Sequence, residues 1–226
     1  RAALGWLHTA RFLTTAAQLN QLPALDVPEI AFVGRSNAGK STAINTLTQQ
    51  NQLAFASKKP GRTQHINLFA LGRQGSTDAV LADLPGYGYA AVPLADKQRW
   101  QRVMANYLVT RENLSGVVML CDPRHGIKEL DEALLEVIRP RVEQGLPFLI
   151  LLTKADKLNR TEQAKALLDE VNLEDRGCTE KVFRGLSAGS ARPGHLSYLE
   201  RPIYDFMQYI AERTAGFDRS FALAAE

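Results

Sequence analysis

Short apolar runs alternate along the chain with longer stretches in which apolar positions recur every three or four residues. The short runs predict strands over residues 30–33, 66–71, 79–83, 116–122, 147–153 and 181–187. They are rich in Val, Ile, Leu and Phe, and several are nearly continuous, as strands buried on both faces of a sheet must be. Helical spacing predicts helices over 40–48, 95–113, 129–144, 161–172 and 196–214. In the third of these, Leu130, Ala133, Leu134, Val137 and Ile138 form one apolar stripe. Gln144-Gly145 followed by Pro147 supplies its stop signal. Strand–helix alternation of this kind implies an α/β fold, a six-stranded, mostly parallel sheet with helices on both faces. The expected organisation is an N-terminal extension and linker over 1–27, one nucleotide-binding domain over 28–214, and a tail over 215–226.

Composition narrows the class without naming a function. Of 226 residues, 45% are hydrophobic and 23% charged, which suits a folded domain rather than a disordered chain. The longest apolar runs, 117–121 and 148–152, are far shorter than a bilayer span, so no membrane association is expected. Two cysteines, Cys121 and Cys178, cannot build a disulfide framework and lack zinc spacing. With no secretory-type apolar stretch at residues 1–6, a reducing, cytoplasmic setting is expected, and a monomer. A net charge of +3 permits a nucleic-acid partner without implying one.

The first chemistry lies after the first predicted strand. Gly34-Arg35-Ser36-Asn37-Ala38-Gly39-Lys40-Ser41 matches GxxxxGK[ST] and leads into a predicted helix that continues with Thr42. In such a P-loop, Gly34 and Gly39 let the backbone wrap until its N–H groups face phosphate oxygens. The helix start adds a positive dipole, Lys40 adds a full charge, and the Ser41 hydroxyl is placed for Mg²⁺. The motif alone does not distinguish ATP from GTP.

Three later segments complete a pattern. Asp83-Leu84-Pro85-Gly86 ends the third predicted strand, where a carboxylate can hold Mg²⁺ through water and Gly86 can present its N–H to a terminal phosphate. The long connection 49–65 carries Lys58-Lys59-Pro60-Gly61-Arg62-Thr63-Gln64-His65. Thr63 is the candidate to ligate Mg²⁺ and report the γ-phosphate, and Ser57 is the less well placed hydroxyl. Thr153-Lys154-Ala155-Asp156 reads as [NT]KxD. A carboxylate at Asp156 can accept from guanine N1–H and its exocyclic amine, whereas adenine offers neither pairing there. Leu186-Ser187-Ala188 places backbone N–H groups where guanine O6 would lie.

Together, GRSNAGKS, PGRT, DLPG, TKAD and LSA resemble a translation-factor-class GTPase. The details 28–37, 59–64 and Asp83-Leu84-Pro85-Gly86-Tyr87-Gly88-Tyr89-Ala90 are similar to the EngB (YihA/YsxC) group of bacterial GTP-binding proteins. That resemblance, over about residues 13–211, implies a Ras-like fold that binds GTP or GDP with Mg²⁺. It also implies a role in large ribosomal subunit assembly, required for normal cell division and septation, with rRNA and ribosomal proteins as partners. By position, 34–42 would hold phosphates, Ser41, Thr63 and (through water) Asp83 would hold Mg²⁺, 61–65 and 83–86 would line the switches, and 153–156 with 186–188 would hold guanine. Lys40, Thr63 and Gly86 would carry catalysis. Tyr87 stands where many small GTPases place a water-orienting Gln, so slow intrinsic hydrolysis is implied, completed by a partner, a cation or another residue. Asn37 occupies a loop position that in related GTPases can hold K⁺; its other role would be to stabilise the loop.

Other features carry less. Cys121-Asp122-Pro123-Arg124-His125 reads as a structural turn rather than a metal site. Lys97, Arg99, Trp100, Arg102 and Arg111 read as an exposed basic helix face, with Val103, Tyr107 and Leu108 packed inward. Lys58, Lys59 and Arg62 are the better candidates to touch RNA. Two other functions fit the same motifs: a binding module for which nucleotide is a structural ligand without meaningful turnover, and a P-loop kinase acting on a small molecule.

Overall fold

The computed structural model describes residues 2–54, 65–88, 94–154, 157–162 and 182–186. The chain runs α1 (Ala2–Leu7), β1 (Arg11–Ala16), β2 (Glu29–Gly34), α2 (Lys40–Thr48), β3 (Ile66–Leu71), β4 (Ala79–Asp83), α3 (Leu94–Thr110), β5 (Leu114–Cys121), α4 (Glu129–Glu143), β6 (Phe148–Leu152) and β7 (Val182–Leu186). The strands form one sheet in the order β1-β3-β4-β2-β5-β6-β7. Pairs β4-β2, β2-β5, β5-β6 and β6-β7 are parallel, while β1-β3 and β3-β4 are antiparallel.

All six expected strands form, and the sheet is mostly parallel. A seventh, β1, pairs with β3 at one edge inside the stretch read as extension and linker. That stretch also buries Trp6, Leu7, Ala10, Ala16 and Leu22, so it packs into the same core as the rest of the domain. Helix α3 ends at Thr110, three residues before its expected end, and Arg111, just past it, turns its side chain to the buried Glu29. Arg111 therefore leaves the basic face expected of it, while Arg99 and Arg102 remain exposed. Helix α4 stops as its sequence signals: Gln144 N–H donates to Pro140 O, and Gly145 takes a left-handed φ of 107°. Of the helix expected over 161–172, residues 161 and 162 are described and helical. The helix over 196–214, the domain end at 214 and the tail 215–226 lie outside the described residues.

Alternation along the central strands divides the core between the two faces. Ala31 and Val33 of β2 join Tyr107, Leu108, Leu134 and Ile138 of α3 and α4. Ile30 and Phe32 join Trp6, Leu7, Ile44 and Leu47 of α1 and α2. The parallel strands bring Gly34, Asp83, Cys121, Leu152 and Leu186 to one edge of the sheet. Strand β3 runs the other way, so its first residues reach that same edge, where Asn67 pairs with Asp83. The carboxyl edge of an open parallel sheet is where α/β folds bind ligands. No helix among the described residues is long and apolar enough to cross a membrane.

Candidate functional site

Strand β2 is buried along its whole length and delivers Gly34 to the ligand edge. Gly34 has a φ of 146°, and a Cβ there would lie 2.4 Å from Leu120 O of β5. Only glycine lets the loop leave the strand so close to its neighbour. Gly39 also has positive φ, 101°, as the residue before α2. Between them the loop returns to Lys40, which is buried at 6% exposure and donates from Nζ to Gly34 O (3.0 Å) and Arg35 O (3.3 Å). The loop thus wraps around the ammonium.

Beside it, Ser41 Oγ donates to Asp83 Oδ2 at 2.8 Å. Asp83 is 1% exposed, and its Oδ1 is buried without a hydrogen-bond partner. Burial pushes the Lys40 ammonium below its usual pKa, opposed by the Asp83 charge. Burial pushes the Asp83 carboxyl above its usual range, opposed by Lys40 and by the Ser41 bond. For each group the cost of burial outweighs what its neighbours return. The donor set fits Mg²⁺, since an orphaned carboxylate oxygen and a hydroxyl stand together, and an ammonium with loop N–H groups lies beside them for phosphate. Among the described residues no group of three His, Cys, Asp or Glu side chains could hold a metal by itself, so the cation here would share its shell with ligand and water.

Leu84 N–H donates to Phe32 O, carrying the turn 83–86 across the loop mouth. At Gly86 a Cβ would stand 2.8 Å from Ser36 Cα and 2.9 Å from Lys40 Nζ, so any side chain would collide with the phosphate loop. Tyr87 then turns away. Its carbonyl accepts from Ser36 N at 2.8 Å, and its hydroxyl donates to Asp131 Oδ1 on α4 at 2.7 Å. Burial and the Asp131 charge push the phenol well above its usual pKa. A ring held there does not take the place of a water-orienting Gln.

The base side is built where β6 ends. Thr153, 6% exposed, donates from Oγ1 to Ala38 O (2.7 Å) and Cys121 O (3.1 Å), tying the strand end to the phosphate loop. Lys154 has a φ of 56° and donates from Nζ to Asn37 O (2.7 Å) and to Asp122 Oδ2 (3.0 Å). Asn37 has its own left-handed φ of 65°, a conformation Asn tolerates better than most side chains. Asp122 also accepts from Arg124 Nε and its terminal nitrogen at 2.9 and 2.6 Å. Burial alone would raise its pKa, but the bonds from Arg124 and Lys154 outweigh that and hold the carboxyl well below the usual range. The turn 121–125 is thus a structural brace, as its sequence suggests. Leu186 ends β7 in register with Leu152 of β6.

The described residues therefore bring together Gly34, Arg35, Ser36, Asn37, Ala38, Gly39, Lys40, Ser41, Asp83, Leu84, Pro85, Gly86, Thr153 and Lys154. Thr42 lies in the first turn of α2 beside them, and His65 is exposed just before β3. Ser57, Lys58, Lys59, Gly61, Arg62, Thr63, Gln64, Ala155, Asp156, Ser187 and Ala188 lie outside the described residues. Sequence reasoning missed Asp122 and Asp131 as partners of the site. Both had a signal of a kind: a carboxylate just past a strand end at the ligand edge, and one in the first turn of the next helix.

A family model described as "50S ribosome-binding GTPase" matches residues 29–154. The chain is 81% identical over 165 residues to "Probable GTP-binding protein EngB" of Albidiferax ferrireducens, covering 73% of this chain and 80% of the relative. To the protein of the same name from Acidovorax ebreus it is 79% identical over 183 residues, covering 81% and 84%. Among solved structures, Era of Aquifex aeolicus in its GDP·AlF₄⁻ complex aligns with a TM-score of 0.60 at 21% identity, covering 82% of this chain and 57% of Era. A probable GTP-binding protein EngB aligns with a TM-score of 0.54 at 20% identity, covering 80% of this chain and 99% of that one. At such identities the structural likeness speaks for the fold alone.

Proposed function

The chain belongs to the EngB family of GTP-binding proteins and carries its GTPase domain, and from that premise we propose that it is a Mg²⁺-dependent GTP/GDP switch that hydrolyses GTP slowly and acts in assembling the large ribosomal subunit. The observation that carries this is a pair of buried charged side chains at a glycine-cornered loop: Lys40, whose Nζ meets the carbonyls of Gly34 and Arg35, and Asp83, whose Oδ1 has no hydrogen-bond partner beside the Ser41 hydroxyl. A magnesium–triphosphate supplies an anion to the first and a cation to the second.

In this reading the polyphosphate lies over 34–42, with Lys40 drawn toward the β- and γ-phosphates and loop N–H groups pointing at their oxygens. Ser41 and Thr63 ligate Mg²⁺, and Asp83 holds one of its waters. Bound there, Mg²⁺ neutralises charge on the phosphate oxygens. Lys40 and the Gly86 N–H add fixed positive potential where negative charge grows. Thr63 and Gly86 report whether the γ-phosphate is present, with Gly61, Arg62, Gln64 and His65 shaping the first switch. Asp156 accepts from the guanine edge, Lys154 and Ala155 flank the base, and Leu186, Ser187 and Ala188 lie near O6. Tyr87 offers no group to orient the attacking water, which favours slow turnover until a partner, or K⁺ beside Asn37, completes the site.

The ribosomal part follows the family and the "50S ribosome-binding GTPase" description of its domain, and the need in cell division and septation, with a cytoplasmic location, is proposed with it. Co-sedimentation with purified large ribosomal subunits tests it. Binding with a non-hydrolysable GTP analogue and release with GDP is the expected result. Equal recovery under both conditions would instead favour a binding module with a structural nucleotide.

A further inference from the structure

Tyr87 follows the glycine proposed to sense the γ-phosphate, and its contacts are more than a replacement for a missing Gln. Two ties hold it. Its backbone forms a parallel bridge with Arg35, in which its carbonyl accepts from Ser36 N at 2.8 Å. Its hydroxyl, in a residue only 6% exposed, donates to Asp131 Oδ1 at 2.7 Å. Asp131 is 2% exposed and is itself fixed, since Oδ2 accepts from Lys128 N at 2.9 Å at the start of α4. Arg35 of the phosphate loop lies 3.8 Å from the same carboxylate and packs along Gly88, whose φ of 78° turns the chain around the guanidinium. A closed circuit results: phosphate loop, Tyr87, α4, Arg35, phosphate loop.

Gly86 is the residue this circuit pins. It stands against Ser36 and the Lys40 ammonium with no space for a side chain. A backbone N–H that must read a phosphate oxygen beside an ammonium works only if its position is fixed beforehand, because reorganisation would consume the selectivity. Flanking anchors do this: Asp83, tied to Ser41 on one side, and Tyr87 on the other.

We propose that Tyr87 and Asp131 are positioning residues that hold Gly86 beside Lys40 and so set the preference for nucleoside triphosphate over diphosphate. The proposal rests on the GTP-switch reading above and deepens it, since it gives a role to two residues outside the nucleotide-binding motifs. The rest of the Tyr87 side chain belongs to the buried cluster that holds Met104, Leu108 and Leu134, so Tyr87→Phe keeps the packing and removes only the tie.

The test is titration of the full chain with Mg²⁺ and either a non-hydrolysable GTP analogue or GDP. For Tyr87→Phe, the affinity ratio of analogue to GDP should fall about five- to ten-fold, the scale of losing one hydrogen bond to a carboxylate, with GDP affinity little changed. Asp131→Ala should lower the ratio at least as much, since it also frees Arg35 and Lys128, and the double variant should be no worse than Asp131→Ala alone, because the link to Tyr87 is already lost there. A ratio unchanged or raised in Tyr87→Phe, or additive losses in the double variant, would overturn the anchor while leaving GTP binding intact. If the unaltered chain bound neither nucleotide, the functional reading would fail and the anchor with it. A merely structural role would lower the melting temperature of each variant and leave the ratio unmoved.

Discussion

At the scale of single residues, the site depends on groups held away from their comfortable states. Burial pushes the pKa of Lys40 down and that of Asp83 up, and the charge of each opposes the shift of the other. Asp122 is the opposite case, a carboxylate surrounded by donors. Its folded pKa lies below the ordinary 3.8. Its stabilising contribution is therefore full above that value and is lost as the pH falls toward the folded value. Asp122→Asn should lower the melting temperature near neutral pH, where Lys154 and Arg124 lose their shared partner. The gap between the two proteins should begin to narrow below about pH 4, the ordinary range for an aspartate, and keep narrowing toward the lower folded value. Thermal melts from pH 3 to 7 measure this, and a gap of constant size would show that the carboxylate charge plays no part. Thr153 shows how far one side chain reaches: a residue chosen for the base-reading motif spends its hydroxyl joining β6 to the phosphate loop at Ala38.

At the scale of elements, close approach of backbone decides what the loop can be. Gly34→Ala would place a methyl 2.4 Å from a carbonyl oxygen at a φ hostile to any side chain. We expect a loss of about 3 kcal/mol, hence a melting temperature lower by about 6–12 °C; a shift under about 2 °C would mean that the loop can leave β2 by another path. Elements with an unbroken apolar signal were legible from sequence: β2, β3, β4, β5 and β6 are buried almost throughout and read as such. Strand β1 was not. It is an edge strand with a mixed burial pattern and an irregular register between Phe12 and Thr14, so its alternation is broken where it would have been read. The end of α3 was misplaced for another reason: after Thr110 the chain turns directly into β5, with Leu114 N–H donating to Arg111 O, and the Arg111 side chain pairs with a glutamate far away in sequence that local propensity does not register.

At the scale of the whole molecule, one rule assembled the site: parallel strands end on the same side. That rule turned motifs scattered from Gly34 to Leu186 into a single edge, which is why so much of the site was legible. What it could not supply was the bracing between motifs. Tyr87 with Asp131, and Lys154 with Asp122 and Asn37, join residues distant in sequence that no local pattern links. The buried Glu29, which accepts from Tyr107, Arg111 and Asn113 beneath β2, belongs to the same class. On the proposed function, this edge of the sheet takes the Mg²⁺ complex of a guanine nucleotide, with Lys40 at its phosphates. Calorimetric titration of the unaltered chain and of Lys40→Ala with Mg²⁺-GTP and Mg²⁺-ATP tests that most directly. GTP should bind the unaltered chain at least a hundred-fold more tightly than ATP, the scale of leaving a buried carboxylate unpaired, and Lys40→Ala should lose most of that binding. Equal affinities for the two nucleotides, or undiminished binding by Lys40→Ala, would contradict it.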